Sequence, residues 1–218
     1  MNSDPEPMSP AIGVFGGTFD PIHYGHLRPA LEVLEKLGLA QVRMLPSAQP
    51  PHRGQPCASA QHRLAMLERA IAGEECLVAD DCELRREGPS YMVDTLQELQ
   101  QRYPATPLVL IIGQDAANGL DRWHQWRRLF ELAHIAVMCR PDARQAYSPE
   151  LAQEMNDRLA GKAELVQQQA AGCVLPLQIT QLDISATTIR AMIASGRSAG
   201  FLTPREVLDY IREQRLYA

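Results

Sequence analysis

One run of residues, Gly16-Gly17-Thr18-Phe19-Asp20-Pro21-Ile22-His23-Tyr24-Gly25-His26, gathers the groups that bind a phosphate chain. Paired glycines let a backbone approach an anion closely, and the free amides and dipole of a helix start favour negative charge. His23 and His26 are three residues apart, so on a first helical turn both imidazoles face one side and can donate to the same polyphosphate. Taken singly, each of these residues is common in ordinary turns; the combination carries the information. Neither Gly-x-Gly-x-x-Gly nor Gly-x-x-x-x-Gly-Lys-Ser/Thr occurs in the chain, which removes the dehydrogenase fingerprint and the P-loop.

A second group lies far along the chain, in Ile184-Ser185-Ala186-Thr187-Thr188-Ile189-Arg190. Ser185 can cap a helix through its side-chain oxygen, leaving amides and Thr187 to face phosphate oxygens, while Arg190 supplies a planar charged fork. Alone, the segment reads equally well as an N-cap followed by a surface arginine.

Together the two segments resemble the adenylyl- and cytidylyltransferase superfamily. Gly17 to His26 matches Gly-x-Phe-Asp-x-x-His-x-Gly-His, and the second group is similar to Ile-Ser-Ser-Thr-x-Ile-Arg, with Ala186 standing where the pattern has a second serine. The resemblance implies direct displacement, in which a phosphate oxygen of one substrate attacks the α-phosphorus of a nucleoside triphosphate and pyrophosphate leaves with Mg²⁺. Catalysis is then positioning plus neutralisation of charge, which suits histidines, hydroxyls, an arginine and backbone amides. It assigns His23, His26 and Arg190 to catalysis, and Gly16, Gly17, Thr18, Phe19, His23, His26, Ile184, Ser185, Thr187 and Arg190 to ATP. No protein-held metal is expected.

Three further segments are similar to nicotinate mononucleotide adenylyltransferases. Pro46 to Arg53 resembles that family's Pro-x-x-x-Pro-Pro-His-Lys/Arg loop, which implies that His52 and Arg53 clamp the acceptor's 5′-phosphate; the bland alternative is an exposed loop with a basic pair. Glu83 to Met92 resembles Glu-x-x-Arg-x-x-Pro-Ser-Tyr-Thr, with Met92 in place of threonine. That implies a pyridine carboxylate read at Tyr91 and Met92, largely by backbone amides. The third segment, Gly113-Gln114-Asp115 followed by Trp123-His124-Gln125-Trp126, is similar to Gly-x-Asp…Trp-x-x-Trp. It places Gly113 and Asp115 at the ATP ribose and Trp123 against the nicotinate ring. Trp123, Trp126 and Phe130 at helical spacing would also serve as a core stripe, and that reading is preferred for Trp126.

The implied partners are therefore ATP and nicotinate mononucleotide, in the synthesis of a dinucleotide. Rivals are nicotinamide mononucleotide as acceptor, a sister transferase acting on phosphopantetheine or using CTP, and a sensor that binds nucleotide without turnover. A site built on backbone donors suits a carboxylate and leaves an amide nitrogen poorly paired.

These groups need a frame, and the apolar pattern supplies one. Ala11–Phe15, Val42–Leu45, Cys76–Ala79, Leu108–Ile112, Ile135–Met138 and Val174–Ile179 read as strands, continuous rather than alternating, as in a sheet buried on both faces. Helices are expected after Gly25 as far as Gly38, across Leu64 to Ile71, and over Tyr91–Arg102 and Trp123–Leu132, with helix plus variable loop in residues 143–172. Two helices finish the chain, the last announced by Thr203 as cap, Pro204 in the first turn and Glu206 third. Such alternation predicts an α/β fold, a Rossmann-like doubly wound parallel sheet with C-terminal helices, whose ligands lie beyond the carboxyl ends of the strands.

The chain of 218 residues is expected to form a single nucleotidyltransferase domain, with residues 1–10 as a flexible tail. A net charge of −5 disfavours a nucleic-acid partner, which would require a basic stripe. Five scattered cysteines, odd in number and without Cys-x-x-Cys spacing, fit reduced thiols in the cytoplasm. No apolar run approaches the ~20 residues of a membrane span, and a homo-oligomer is left open.

Overall fold

The computed structural model describes residues 9–49, 55–139, 145–180 and 182–218. Six parallel strands form one sheet in the order β3-β2-β1-β4-β5-β6. They are β1 (Ile12–Gly17), β2 (Gln41–Pro46), β3 (Leu77–Ala79), β4 (Leu108–Gly113), β5 (His134–Cys139) and β6 (Val174–Gln178). The order runs outward from β1 on one side and from β4 on the other. The crossovers after these two strands therefore part to opposite directions, opening a crevice at their carboxyl ends.

Helices cover both faces, as the continuous apolar strands require. On one face α1 (Tyr24–Leu37), α2 (Ala60–Ala70) and α9 (Arg205–Glu213) bury Leu27, Val33, Met66, Leu67, Val207 and Ile211 against Phe15, Met44, Val109 and Ile111. On the other, α4 (Met92–Arg102), α6 (Trp126–Leu132) and α7 (Pro149–Asp157) bury Val93, Leu96, Trp126, Phe130 and Leu151 against Ile12, Val14, Leu110 and Val137. Each such side chain contributes about 1.5–3 kcal/mol on leaving water. A smaller cluster of Ile189, Ala199 and Leu208 joins α8 (Ala186–Ala194) to α9. Two one-turn helices, α3 (Cys82–Arg85) and α5 (Gln114–Ala117), complete the described set. Among the described residues, no helix is long and apolar enough to cross a membrane.

Two local expectations are corrected. Helix α6 begins at Trp126, because Trp123 is extended and Gln125 is left-handed at φ 51°, which stops the helix from reaching back. Trp123 and Trp126 are thus on different elements, and only Trp126 enters the core, edge-on to Phe130 at 6.2 Å. The second correction concerns Thr203, which does not cap α9. Its buried hydroxyl donates instead to the Ile22 carbonyl at 2.8 Å, and Pro204 occupies the cap position.

Candidate active site

At the end of β1 the chain passes Gly16 and Gly17 and turns through Thr18 and Phe19 before α1 begins. Phe19 sits at φ 49°, a region that costs a non-glycine residue about 1 kcal/mol or more. Packing holds it there: its buried ring lies edge-on to Phe15 at 5.9 Å and to His26 at 5.1 Å. His23 occupies the N-cap of α1 and His26 its first turn. Their rings stack with centroids 3.8 Å apart and planes 26° apart, so the expected shared face exists.

His23 is almost wholly buried, and among the described residues its Nδ1 has no hydrogen-bond partner. Burial disfavours the imidazolium and lowers its pKa to about 4. Because this lies below the ordinary 6.5, the unfolded chain takes up a proton before the folded one does as pH falls. Stability is complete above pH 6.5 and lost progressively between 6.5 and about 4, by up to about 3 kcal/mol. We expect NMR titration of the nucleotide-free protein to show His23 neutral at pH 6; a midpoint near 6.5 would contradict this account.

The start of α8 meets the start of α1. A Cβ placed on Gly25 would lie 2.9 Å from His23 Nδ1 and 3.3 Å from the Ile184 carbonyl, so a side chain there would have to displace one of them. Ser185 caps α8 by accepting from the Thr188 amide at 3.1 Å. Arg190 donates to the Asp20 carbonyl at 2.6 Å and to Thr187 Oγ1 at 3.4 Å, which brings the two sequence groups, 170 residues apart, onto one loop.

Asp20 is the hub of that loop. Its carboxylate accepts from the Cys57 and Ala58 amides at 2.7 and 3.1 Å and from the Tyr217 hydroxyl at 2.6 Å, with Arg190 Nη1 at 3.9 Å. Burial and the neighbouring Asp20 carboxylate push the Tyr217 phenol well above its ordinary range, so it remains a donor. Sequence reasoning gave Asp20 and Tyr217 no role; the motif's aspartate was the available signal.

Arg63, on α2, is 1 % exposed and was also unforeseen. Its guanidinium donates to the carbonyls of Thr18 at 2.7 Å, Ser47 at 2.6 Å and Ala58 at 3.3 Å.

The opposite wall is built from α4 and the segment after β4. Tyr91 is the N-cap of α4, and its amide is taken by the Pro89 carbonyl at 3.0 Å. The amides of Met92 and Val93, in the first helical turn, have no acceptor within the helix. Met92 reaches across to Gly16, where an added Cβ would lie 2.8 Å from the methionine methyl. Tyr91 packs on the His124 ring at 4.4 Å. Glu83 is buried beneath this wall, accepting from Thr95 Oγ1 at 2.9 Å, and burial raises its carboxyl pKa. Gly113 ends β4, Asp115 is exposed on α5, and half-buried Trp123 lines a shallow hollow with Asp115 and Ala116. His52 and Arg53 lie outside the described residues.

The geometry thus collects His23, His26, Thr18, Thr187 and Arg190 at the mouth of β1, with Met92 facing them and Gly113 on the adjacent strand. A model of the cytidylyltransferase-like family matches residues 14–192, which include both motif groups. A Methylococcus capsulatus protein described as "Probable nicotinate-nucleotide adenylyltransferase" is 49% identical over 208 residues, covering 95% of this chain and 99% of that protein. A Pseudomonas aeruginosa protein with the same description is 44% identical, covering 96% of this chain and 98% of its own length. Among solved structures, the Plasmodium falciparum nicotinic acid mononucleotide adenylyltransferase complexed with NaAD superposes with a TM-score of 0.73 at 15% identity, over 96% of this chain and 98% of that one, a likeness of fold. By its matched span and by its identity to these bacterial relatives, the chain belongs to the cytidylyltransferase-like family and, within it, to the nicotinate-nucleotide adenylyltransferases.

Proposed function

We propose that this protein transfers AMP from ATP to nicotinate mononucleotide, giving nicotinate adenine dinucleotide and pyrophosphate. The observation that carries the reading is the stacked His23–His26 pair, set where the starts of α1 and α8 converge and beside Arg190. A triphosphate laid across these two helix starts would meet free amides, two imidazoles, Thr18, Thr187 and a guanidinium. The acceptor's phosphate oxygen then forms a bond to the α-phosphorus as the bond between the α-phosphorus and the bridging oxygen breaks. Pyrophosphate departs with those electrons. A divalent cation accompanies ATP in nucleotidyltransferases of this family generally; Mg²⁺ is the ion proposed here, arriving as part of the substrate.

On the acceptor side, the Met92 and Val93 amides are the donors aimed to receive a pyridine carboxylate, since the Tyr91 amide is already engaged. His52 and Arg53 are assigned to the acceptor's phosphate by resemblance. Gly113 and Asp115 take the ribose of ATP, and Trp123, half-buried at the edge of the core, stacks on the pyridine.

The test is pyrophosphate release with Mg-ATP, comparing nicotinate with nicotinamide mononucleotide. Preference for nicotinate by ~10²-fold or more is expected, the scale of leaving a polar partner unpaired in a site built for it. Preference for the amide would keep the chemistry and overturn the role of α4, whereas binding of both substrates without pyrophosphate would establish a sensor instead.

A further inference from the structure

Arg63 is the largest of the fully buried side chains, and its three acceptors belong to separate pieces of chain. Thr18 lies in the loop assigned to the triphosphate, Ser47 follows β2, and Ala58 precedes α2. Ser47 is in turn tied to Gly17, through its amide at 2.9 Å and its hydroxyl at 3.3 Å. The next two residues continue the connection. The Ala48 and Gln49 amides donate to Ser90 Oγ at 3.0 and 3.2 Å, and the Ser90 amide donates back to the Gln49 carbonyl at 3.1 Å. Ser90 immediately precedes Tyr91 and Met92, the residues assigned to the acceptor. A hydrogen-bonded relay therefore runs from Thr18 through Arg63 and residues 47–49 to the start of α4.

A buried guanidinium is costly, and this one, with no carboxylate of the described residues in direct contact, is compensated by three carbonyl oxygens arranged to fit a planar fork. Lysine offers the same charge but one nitrogen, which cannot reach three divergent acceptors. The geometry points to Arg63 as a positioning residue that sets the spacing between the triphosphate loop and the acceptor side of the crevice, so that the attacking oxygen and the α-phosphorus meet in line. This rests on the adenylyl-transfer reading above. In-line displacement is sensitive to such spacing: a misplacement of about 1 Å can cost ~10²-fold in rate.

The test separates spacing from affinity and from stability. For Arg63→Lys and Ser90→Ala, turnover is measured beside the dissociation constants of a non-hydrolysable ATP analogue, nicotinate mononucleotide and the dinucleotide product. A dinucleotide must satisfy both halves of the site at once, so it alone reports their separation. We expect kcat to fall ~10-fold or more and dinucleotide affinity to weaken by ~10-fold, with each separate ligand within ~3-fold of the unchanged protein, and Ser90→Thr to restore both. Equal weakening of all three ligands, or unchanged turnover, would overturn the proposal. Should Arg63→Lys fail to fold, Ser90→Ala, a half-buried position near the surface, decides alone. An unmodified protein that binds the ligands but releases no pyrophosphate would instead refute adenylyl transfer itself.

Discussion

Alanine in place of His23 is expected to lower kcat by at least ~10²-fold while leaving the fold intact, the scale for losing a donor to developing transition-state charge. The imidazole is buried and its pKa is lowered to about 4, yet no described residue partners its Nδ1. Such a group is unfavourable for stability. A polyphosphate brought alongside would raise the pKa again, because negative charge favours the imidazolium. Two further readings follow from the same variant. Removing the group that must stay neutral should make the protein less sensitive to acid between pH 6.5 and about 4, and the loss should appear in kcat more than in KM. Steady-state kinetics with a thermal melt at pH 7 and pH 5 checks all three; near-normal turnover would remove His23 from the mechanism.

The second large effect requires no loss of a functional group. Gly25→Ala adds one methyl, which would stand 2.9 Å from His23 Nδ1, 3.0 Å from its Cε1 and 3.3 Å from the Ile184 carbonyl. The first contact is closer than a Cβ tolerates and the other two are tight, so the imidazole shifts in its stack on His26 or the start of α8 moves away from α1. Both motions separate groups that must touch one triphosphate. A fall in kcat/KM of ~10²-fold is expected, comparable to deleting a histidine, because misplacement by about 1 Å carries that penalty. Helix propensity acts in the opposite direction, since alanine is favoured over glycine by about 0.8–1 kcal/mol within a helix. A variant as stable as the parent but severely impaired would thus isolate the steric cause. Unimpaired turnover would show that α1 and α8 adjust freely.

What could be read from the sequence was what depends on local spacing. The histidine pair follows from a three-residue interval on one helix, and the sheet from apolar runs such as Leu108–Ile112, every member of which is buried. Ser185 as a cap was equally legible, since the bond spans three residues. What escaped depends on distant partners. Arg63 reads as an ordinary charged helical residue until Thr18 and Ser47 fold around it. Thr203 has the neighbours of a capping residue, but the Ile22 carbonyl, 181 positions away, claims its hydroxyl. Likewise Trp123 keeps the helical interval to Trp126, and a single left-handed residue, Gln125, breaks that relation. The start of α4 was placed correctly, while the engagement of the Tyr91 amide by Pro89 could not be seen, and it shifts the proposed carboxylate donors one residue onward.

The bond from Tyr217 to Asp20 joins positions 197 apart, so the histidine loop is fastened to residues that follow α9. The glycine loop and both histidines lie between β1 and the first turn of α1, whereas the phenol that donates to the loop's aspartate lies just beyond α9. Until α9 has docked along α2, a nascent chain holds the whole histidine motif on a loop that lacks one of its ties. Clipping after α8 would produce that condition with all six strands still present. Whatever loosens α9 from α2 thereby also strains a tie of the histidine loop, with the sheet untouched.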